Sequence, residues 1–162
     1  MDKISPCLWF DGQAEEAAKF YTELFPGSHI DSIDRSPADT PSGPEGSILT
    51  VTFTLFGRTY MALNGGPEFK FNEAISLQIE CEDQAEVDRY WSALIADGGE
   101  ASVCGWLKDR FGLSWQVTPR VLLEMTTSPD RAAAKRAMEA MLEMTKIDIA
   151  TLEEAYGGVP VA

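Results

Sequence analysis

The sequence predicts an α+β fold of two βαβββ-type modules, whose strands form a curved mixed sheet (a cup) backed by helices, with further helices at the C-terminus. Three observations carry that prediction. The chain repeats itself at a spacing of 71 residues, from Gln13 to Gln84. Its strand-like runs alternate apolar and polar residues, and after Pro119 the pattern changes to a helical one.

The repeat is read first, because it sets the whole architecture. Gln13-Ala14-Glu15 recurs as Gln84-Ala85-Glu86, and the same shift places Phe20 on Trp91, Leu24 on Ile95 and Gly27 on Gly98. Each copy opens with acidic residues, which complement a helix N-terminus. Each then carries an apolar stripe at helical spacing: Ala14, Ala17, Phe20, Tyr21 and Leu24 in one, Val87, Tyr90, Trp91, Leu94 and Ile95 in the other. Each stops at glycine, Gly27 or Gly98-Gly99.

Strand-like runs surround these helices at 3–10, 29–35, 48–56 and 59–64 in the first copy, with a turn at Gly57-Arg58. The second copy has runs at 75–81, 101–107 and 112–118, of which 101–107 reads as a strand open to being split, with 108–111 as a link. Residues 36–47, rich in Pro, Gly and Ser, read as an exposed loop, and 64–73 as the connector between copies. Ser128-Pro129-Asp130 reads as a helix start, followed by the stripe Ala134, Met138, Met141 and Leu142. A short helix is expected from about Asp148 to Tyr156, ending at Gly157-Gly158. The expected organisation is one domain over 1–162, with modules at about 1–64 and 75–118 and terminal helices at about 121–157.

With 162 residues, 44% of them apolar, the chain is of single-domain size and can bury a core. No stretch approaches eighteen apolar residues, so no membrane span is expected. The N-terminus lacks a basic region followed by an apolar run, which argues for a cytoplasmic protein. Three cysteines, Cys7, Cys81 and Cys104, fit reduced thiols better than a disulfide framework. Twenty-six acidic against thirteen basic residues give a net charge of −13, which repels nucleic acid and suits cationic ligands; solubility alone is the simpler explanation.

The alternation assigns the faces. Ile75, Leu77, Ile79 and Cys81 form a dry side, as do Leu113, Trp115 and Val117, and Leu49, Val51, Phe53 and Leu55. Ser76, Gln78, Glu80, Ser114 and Gln116 form a polar side, joined by Trp9, Tyr60, Asn64 and Trp106 where their strands keep phase. Such a face is either solvated or a pocket, and large aromatics among polar neighbours favour a pocket. Glu80 is a candidate general base if desolvated, the alternative being a solvent-facing carboxylate at a strand end. Cys7 shares phase with Trp9 and Cys104 with Trp106, but a nucleophilic thiol needs a basic partner, and His29 is the only histidine. Asp109-Arg110 reads as a turn pair.

Residues 4–25, with the run Leu-Trp-Phe-Asp-Gly-Gln-Ala-Glu-Glu-Ala at 8–17, resemble the PhnB-like branch of the glyoxalase/bleomycin-resistance/extradiol-dioxygenase superfamily, the vicinal-oxygen-chelate proteins. So do Gly66-Pro67-Glu68-Phe69-Lys70-Phe71, Ser76-Leu77-Gln78 and the run from Cys104 to Gln116, with the likeness extending to Lys146-Ile147-Asp148. Members of this branch are often labelled 3-demethylubiquinone-9 3-methyltransferase. The sequence has no glycine-rich loop after a first strand to cradle S-adenosylmethionine, which leaves that label unsupported. The resemblance implies a metal site of His and Glu ligands on four strands. Carried over residue by residue, those positions fall near Ser5 or Pro6, near Asn64, on Ser76 and on Gln116. None is His, Glu, Asp or Cys, and zinc or another transition metal wants several such donors.

The expectation is therefore a small-molecule-binding protein with no metal and no cofactor, its ligand contacted by Trp9, Tyr60, Asn64, Ser76, Gln78, Glu80, Trp106 and Gln116. The alternative is an enzyme of lyase, isomerase or transferase type, using Glu80, Asn64 and Gln116 in the same cup. The resemblance and the apolar face of the terminal helices imply a homodimer.

Overall fold

The structure, a computed structural model, describes residues 2–158. Two compact units divide the chain, one ending at Phe71 and the other beginning at Asn72. Each contains one sheet and one main helix in the order strand, helix, strand, strand, strand.

In the first unit β1 (Cys7–Phe10) leads to helix α1 (Ala14–Leu24), then β2 (His29–Arg35), β3 (Ile48–Leu55) and β4 (Arg58–Asn64). The sheet runs β1-β4-β3-β2, with β1 parallel to β4 and the other contacts antiparallel. In the second unit β5 (Ser76–Cys81) leads to α2 (Gln84–Ile95), then β6 (Glu100–Ala101), β7 (Trp106–Lys108) and β8 (Ser114–Pro119). Its sheet runs β5-β8-β7-β6, again with first and last strands parallel. The shared strand order is the structural form of the sequence repeat.

Apolar periodicity explains why each helix sits where it does. Ala14, Ala17, Ala18 and Tyr21 of α1 are buried, and the Tyr21 ring lies 6.2 Å from that of Phe53 on β3. Val87, Tyr90, Trp91 and Leu94 of α2 are buried, and α2 packs on β5, β7 and β8, whose Ile79, Cys81, Leu107, Trp115 and Val117 are buried. Burial of each large side chain contributes about 1.5–3 kcal/mol, so these stripes fix which side of each sheet is dry. Asp83 caps α2 by accepting from the Glu86 N–H at 2.9 Å.

Several boundaries move. The first strand begins at Cys7 rather than at residue 3. The β3–β4 turn is Phe56-Gly57, with φ 47° and 80°, not Gly57-Arg58. Positive φ at both central residues is what a two-residue hairpin wants, because that turn shares the strands' twist. The run 101–107 is two strands, separated where Cys104 (φ 59°) and Gly105 (φ 81°) turn the chain. Cys104 consequently leaves the strand phase of Trp106, and its N–H donates to the Met144 carbonyl at 2.8 Å. Lys108, expected in a link, belongs to β7.

After β8 come α3 (Arg120–Thr126), α4 (Arg131–Leu142) and α5 (Ile149–Gly157). Asp130, not Ser128, caps α4, and Asp148 caps α5. Leu122, Met125, Ala137, Ile147 and Leu152 form their core. The tail is tied back to its unit by polar contacts: Gln84 Nε2 donates to the Ile147 carbonyl (3.0 Å), and its Oε1 accepts from the Ile149 N–H (2.8 Å). Among the described residues no helix is long and apolar enough to cross a membrane.

Candidate functional site

The second unit's sheet carries the polar face that the alternation predicts. Strand register sets its residues in rows. Ser76, Ser114, Lys108 and Glu100 form one row across four strands, and Gln78, Gln116 and Trp106 form the next. Residues opposite one another on antiparallel strands have their Cβ atoms about 4.5–5.5 Å apart, so Lys108 neighbours Ser114 and Glu100, and Trp106 neighbours Gln116, on this face. Gln116 Nε2 donates to Ser76 Oγ at 2.9 Å. At one end of the face is a recess of about 160 Å³, bordered by Glu73, Glu100, Ser102, Trp106, Lys108 and Ser114.

Two features set this recess apart from a solvated sheet. Ser114 is only 1% exposed, and its Oγ has no hydrogen-bond partner in the protein, a costly condition for a buried hydroxyl. Beside it Lys108 Nζ pairs with the Glu73 carboxylate, which comes from the turn just before β5. The pairing holds the Glu73 carboxyl below the usual carboxylate range and the Lys108 ammonium above the usual lysine range. Both groups keep contact with water, so the pair is held loosely. Lys108, Glu73 and Glu100 are residues that sequence reasoning left out of the site, whereas Ser114 was placed on the polar face but not among the ligand contacts. Lys108 was findable, since it keeps phase with Trp106 two residues earlier.

The remaining residues of the predicted site divide. Gln78 is exposed on the same face. Glu80 is exposed too, and its carboxylate accepts from Arg120 Nε at 2.7 Å, so it is the solvent-facing strand-end carboxylate rather than a desolvated base. In the first unit Trp9 is half-buried, its indole N–H donating to the Gly66 carbonyl at 2.9 Å and its ring meeting the edge of Phe69 at 5.0 Å. Gly65 lies flat against that indole, where any Cβ would fall 2.3 Å from a ring atom.

Tyr60 and Asn64 must be moved to the other face. Register pairs Trp9 with Leu63 and Cys7 with Met61, whereas Tyr60 pairs with Phe53 and Asn64 with buried Phe10. Tyr60 stacks on Phe53 (5.5 Å) on the helix side. The Asn64 amide is engaged at both ends: Oδ1 accepts from the Ala14 N–H that opens α1 (2.9 Å), and Nδ2 donates to the Ile48 carbonyl (3.0 Å). It caps a helix whose own N-cap residue makes no side-chain cap.

The repeat also relocates a position that the resemblance assigned to a metal. Gln116 pairs with Gln78, the 71-shift counterpart of Cys7, and Cys7 pairs with Met61. The first-module counterpart of Gln116 is therefore Met61, not Asn64. The set becomes Ser5, Met61, Ser76 and Gln116. A thioether and three neutral oxygen-bearing side chains do not fit a zinc or nickel ion, which wants imidazole, carboxylate or thiolate. Among the described residues no three His, Cys, Asp or Glu side chains converge as a metal would need.

The three thiols differ. Cys7 is exposed and Cys81 is fully buried. Burial, assisted by the negative Glu86 and Asp83, pushes the Cys81 thiol up to about 12 from 9.0. The folded state keeps this proton while the unfolded chain loses it, so stability is intact below pH 9 and is lost as pH rises from 9 toward 12. In Cys81→Ala that alkaline loss shrinks, as urea titrations at pH 8 and pH 10.5 would show. An unchanged pH dependence would refute the assignment.

The paired strand-helix-strand modules, each with one helix-covered face and one polar face, define a protein of the βαβββ-duplication class. Residues 2–118 match the family model described as 3-demethylubiquinone-9 3-methyltransferase, and the chain belongs to that family. It is similar to a solved structure from Bacillus cereus described as a putative 3-demethylubiquinone-9 3-methyltransferase, PhnB protein. The two are 38% identical, the match covers 73% of this chain and 99% of that one, and the TM-score is 0.65. The Pseudomonas aeruginosa protein PA1353 shares the fold at 22% identity, covering 74% and 98% of the two chains with a TM-score of 0.60. No curated protein matches the chain significantly. The family match ends at Thr118, so α3, α4 and α5 lie beyond it, and the expected likeness around Lys146 to Asp148 falls outside the matched residues.

Proposed function

We propose that this protein binds a small organic molecule on the polar face of the second sheet and does so without a metal ion. The observation that carries the reading is the recess itself. A buried Ser114 hydroxyl without a partner borders it, next to an aromatic ring, Trp106, and a loosely held charge, Lys108. Sites for small molecules combine apolar surface with a few convergent polar groups in this way. The neutral donor set at the four family positions supports the metal-free part.

The methyltransferase named in the family description draws no support from the fold. Neither sheet is the doubly wound parallel type that holds S-adenosylmethionine at a helix N-terminus. A catalytic reading based on Glu80, Asn64 and Gln116 has lost two members, one to an ion pair with Arg120 and one to the opposite face. The ligand is the expected partner, together with a second copy of the chain, through the outward Met138 and Leu142 of α4, which are 41% and 55% exposed. Three unpaired thiols suit a reducing compartment.

A chemically diverse screen read by thermal shift and tryptophan fluorescence tests the proposal. Hits are expected whose binding is lost in Trp106→Ala while that variant melts normally. A screen without hits, or hits indifferent to Trp106, would remove the reading.

A further inference from the structure

Lys108 and Ser114 face each other across β7 and β8. Each is odd alone. The hydroxyl is buried and unsatisfied, while the ammonium, in a chain of net charge −13, is held by a carboxylate delivered from a turn outside the sheet. The next row of the face places Trp106 beside them, and that ring also borders the recess.

A single ligand group would resolve these oddities. A carboxylate has two oxygens, one able to accept from Lys108 Nζ and the other from Ser114 Oγ, and charge-assisted bonds of this kind are the strong ones. Its planar body would lie along Trp106, in a recess of about 160 Å³ that admits one small ring. Glu73 already sets a carboxylate on Lys108. It can leave, because its side chain is 64% exposed and it stands in a turn rather than a strand.

We propose that Lys108 and Ser114 form a carboxylate subsite for a small planar acid, and that Glu73 holds its Lys108 half as an internal stand-in which the ligand displaces. The proposal rests on the reading of this face as a ligand site and adds the class of ligand. It reverses the expectation of a cationic ligand drawn from net charge. The field of the whole chain sets encounter rates, but the local group in the recess sets what is held there. Glu73 also makes the subsite selective, since an acid must outcompete a carboxylate already in place.

Calorimetric titration with benzoate, and with benzylamine as its cationic counterpart, tests the subsite. Benzoate is expected to bind the wild-type protein weakly. Glu73→Gln removes the competitor, and because an exposed pair favours its closed form by no more than about fivefold, affinity should rise by about that factor. Lys108→Met should abolish binding, Lys108→Arg should retain it, and Ser114→Ala should weaken it several-fold. Both Glu73 and Lys108 reach solvent, so their variants should melt as the wild type does. No gain in Glu73→Gln, or full binding in Lys108→Met, would overturn the proposal. Binding of benzylamine in place of benzoate would also overturn it while leaving the ligand-site reading intact. A diverse screen without any hit would end both.

Discussion

Replacing Asp109 by alanine is expected to lower stability by about 3–5 kcal/mol, because it strips three donors of one charged acceptor inside the fold. Asp109 is 2% exposed. Its Oδ1 accepts from the Phe111 N–H at 2.9 Å and the Leu113 N–H at 3.1 Å, and its Oδ2 accepts from Trp115 Nε1 at 2.8 Å. The carboxylate therefore closes the β7–β8 turn and fixes a core indole at once. For a chain of this size the loss corresponds to a fall in Tm of about 10 °C. Asp109→Asn keeps the shape but turns one accepting atom into a donor, so an intermediate loss is expected. Calorimetry reads both variants. An Asp109→Ala protein that melts like the wild type would show that the turn does not depend on the carboxylate.

The second large effect is expected at Gly105. Its φ is +81°, and a Cβ there would lie 2.9 Å from Ile147 Cγ1 and 3.0 Å from the Val117 carbonyl oxygen. Alanine would add left-handed backbone strain to two contacts tighter than van der Waals distance, together about 2–4 kcal/mol. The segment after α4 is held at this point, since Gly105 N–H donates to the Thr145 carbonyl at 2.8 Å. Gly105→Ala should therefore loosen residues 144–149 before the sheets. Hydrogen exchange at those amides should speed up in the variant. Unchanged exchange together with an unchanged Tm would contradict this role.

These two residues also show what the sequence exposed and what it hid. The duplication was legible, because acidic start, apolar stripe and glycine stop recur at one spacing, and the strand order β1-β4-β3-β2 returns as β5-β8-β7-β6. The dry and polar sides of β5 and β8 were legible for the same reason, since alternation there is strict. The phase of β4 was not. Met61-Ala62-Leu63 is apolar throughout, so the run reads equally well in either phase, and only pairing with Leu8 and Phe10 decides that Tyr60 and Asn64 turn toward the helix. That the run 101–107 could split was legible, but the place of the break at Cys104 was not, because a non-glycine residue at φ 59° follows no propensity rule. Asp109 reads as a turn residue and is one, but its hold on an indole six positions later is a tertiary fact. Lys108 was passed over because a charge next to Asp-Arg-Phe-Gly looks like part of the turn.

The site follows the same division. Polar side chains at the right period could be listed from sequence, but which of them lack partners could not. Gln116 and Ser76 satisfy each other, Glu80 is matched by Arg120, and Ser114 alone is buried without a partner among these face residues. That difference is why the proposed site lies at the recess beside Lys108.

The claim beneath the proposed function is that the four positions the resemblance assigns to metal ligands carry only neutral donors. Elemental analysis of the protein, purified without chelator and then dialysed against zinc and nickel, tests it most directly. The account predicts far less than one equivalent of any transition metal per chain after desalting. One tightly held equivalent, lost when Ser76 and Gln116 are both replaced by alanine, would contradict it.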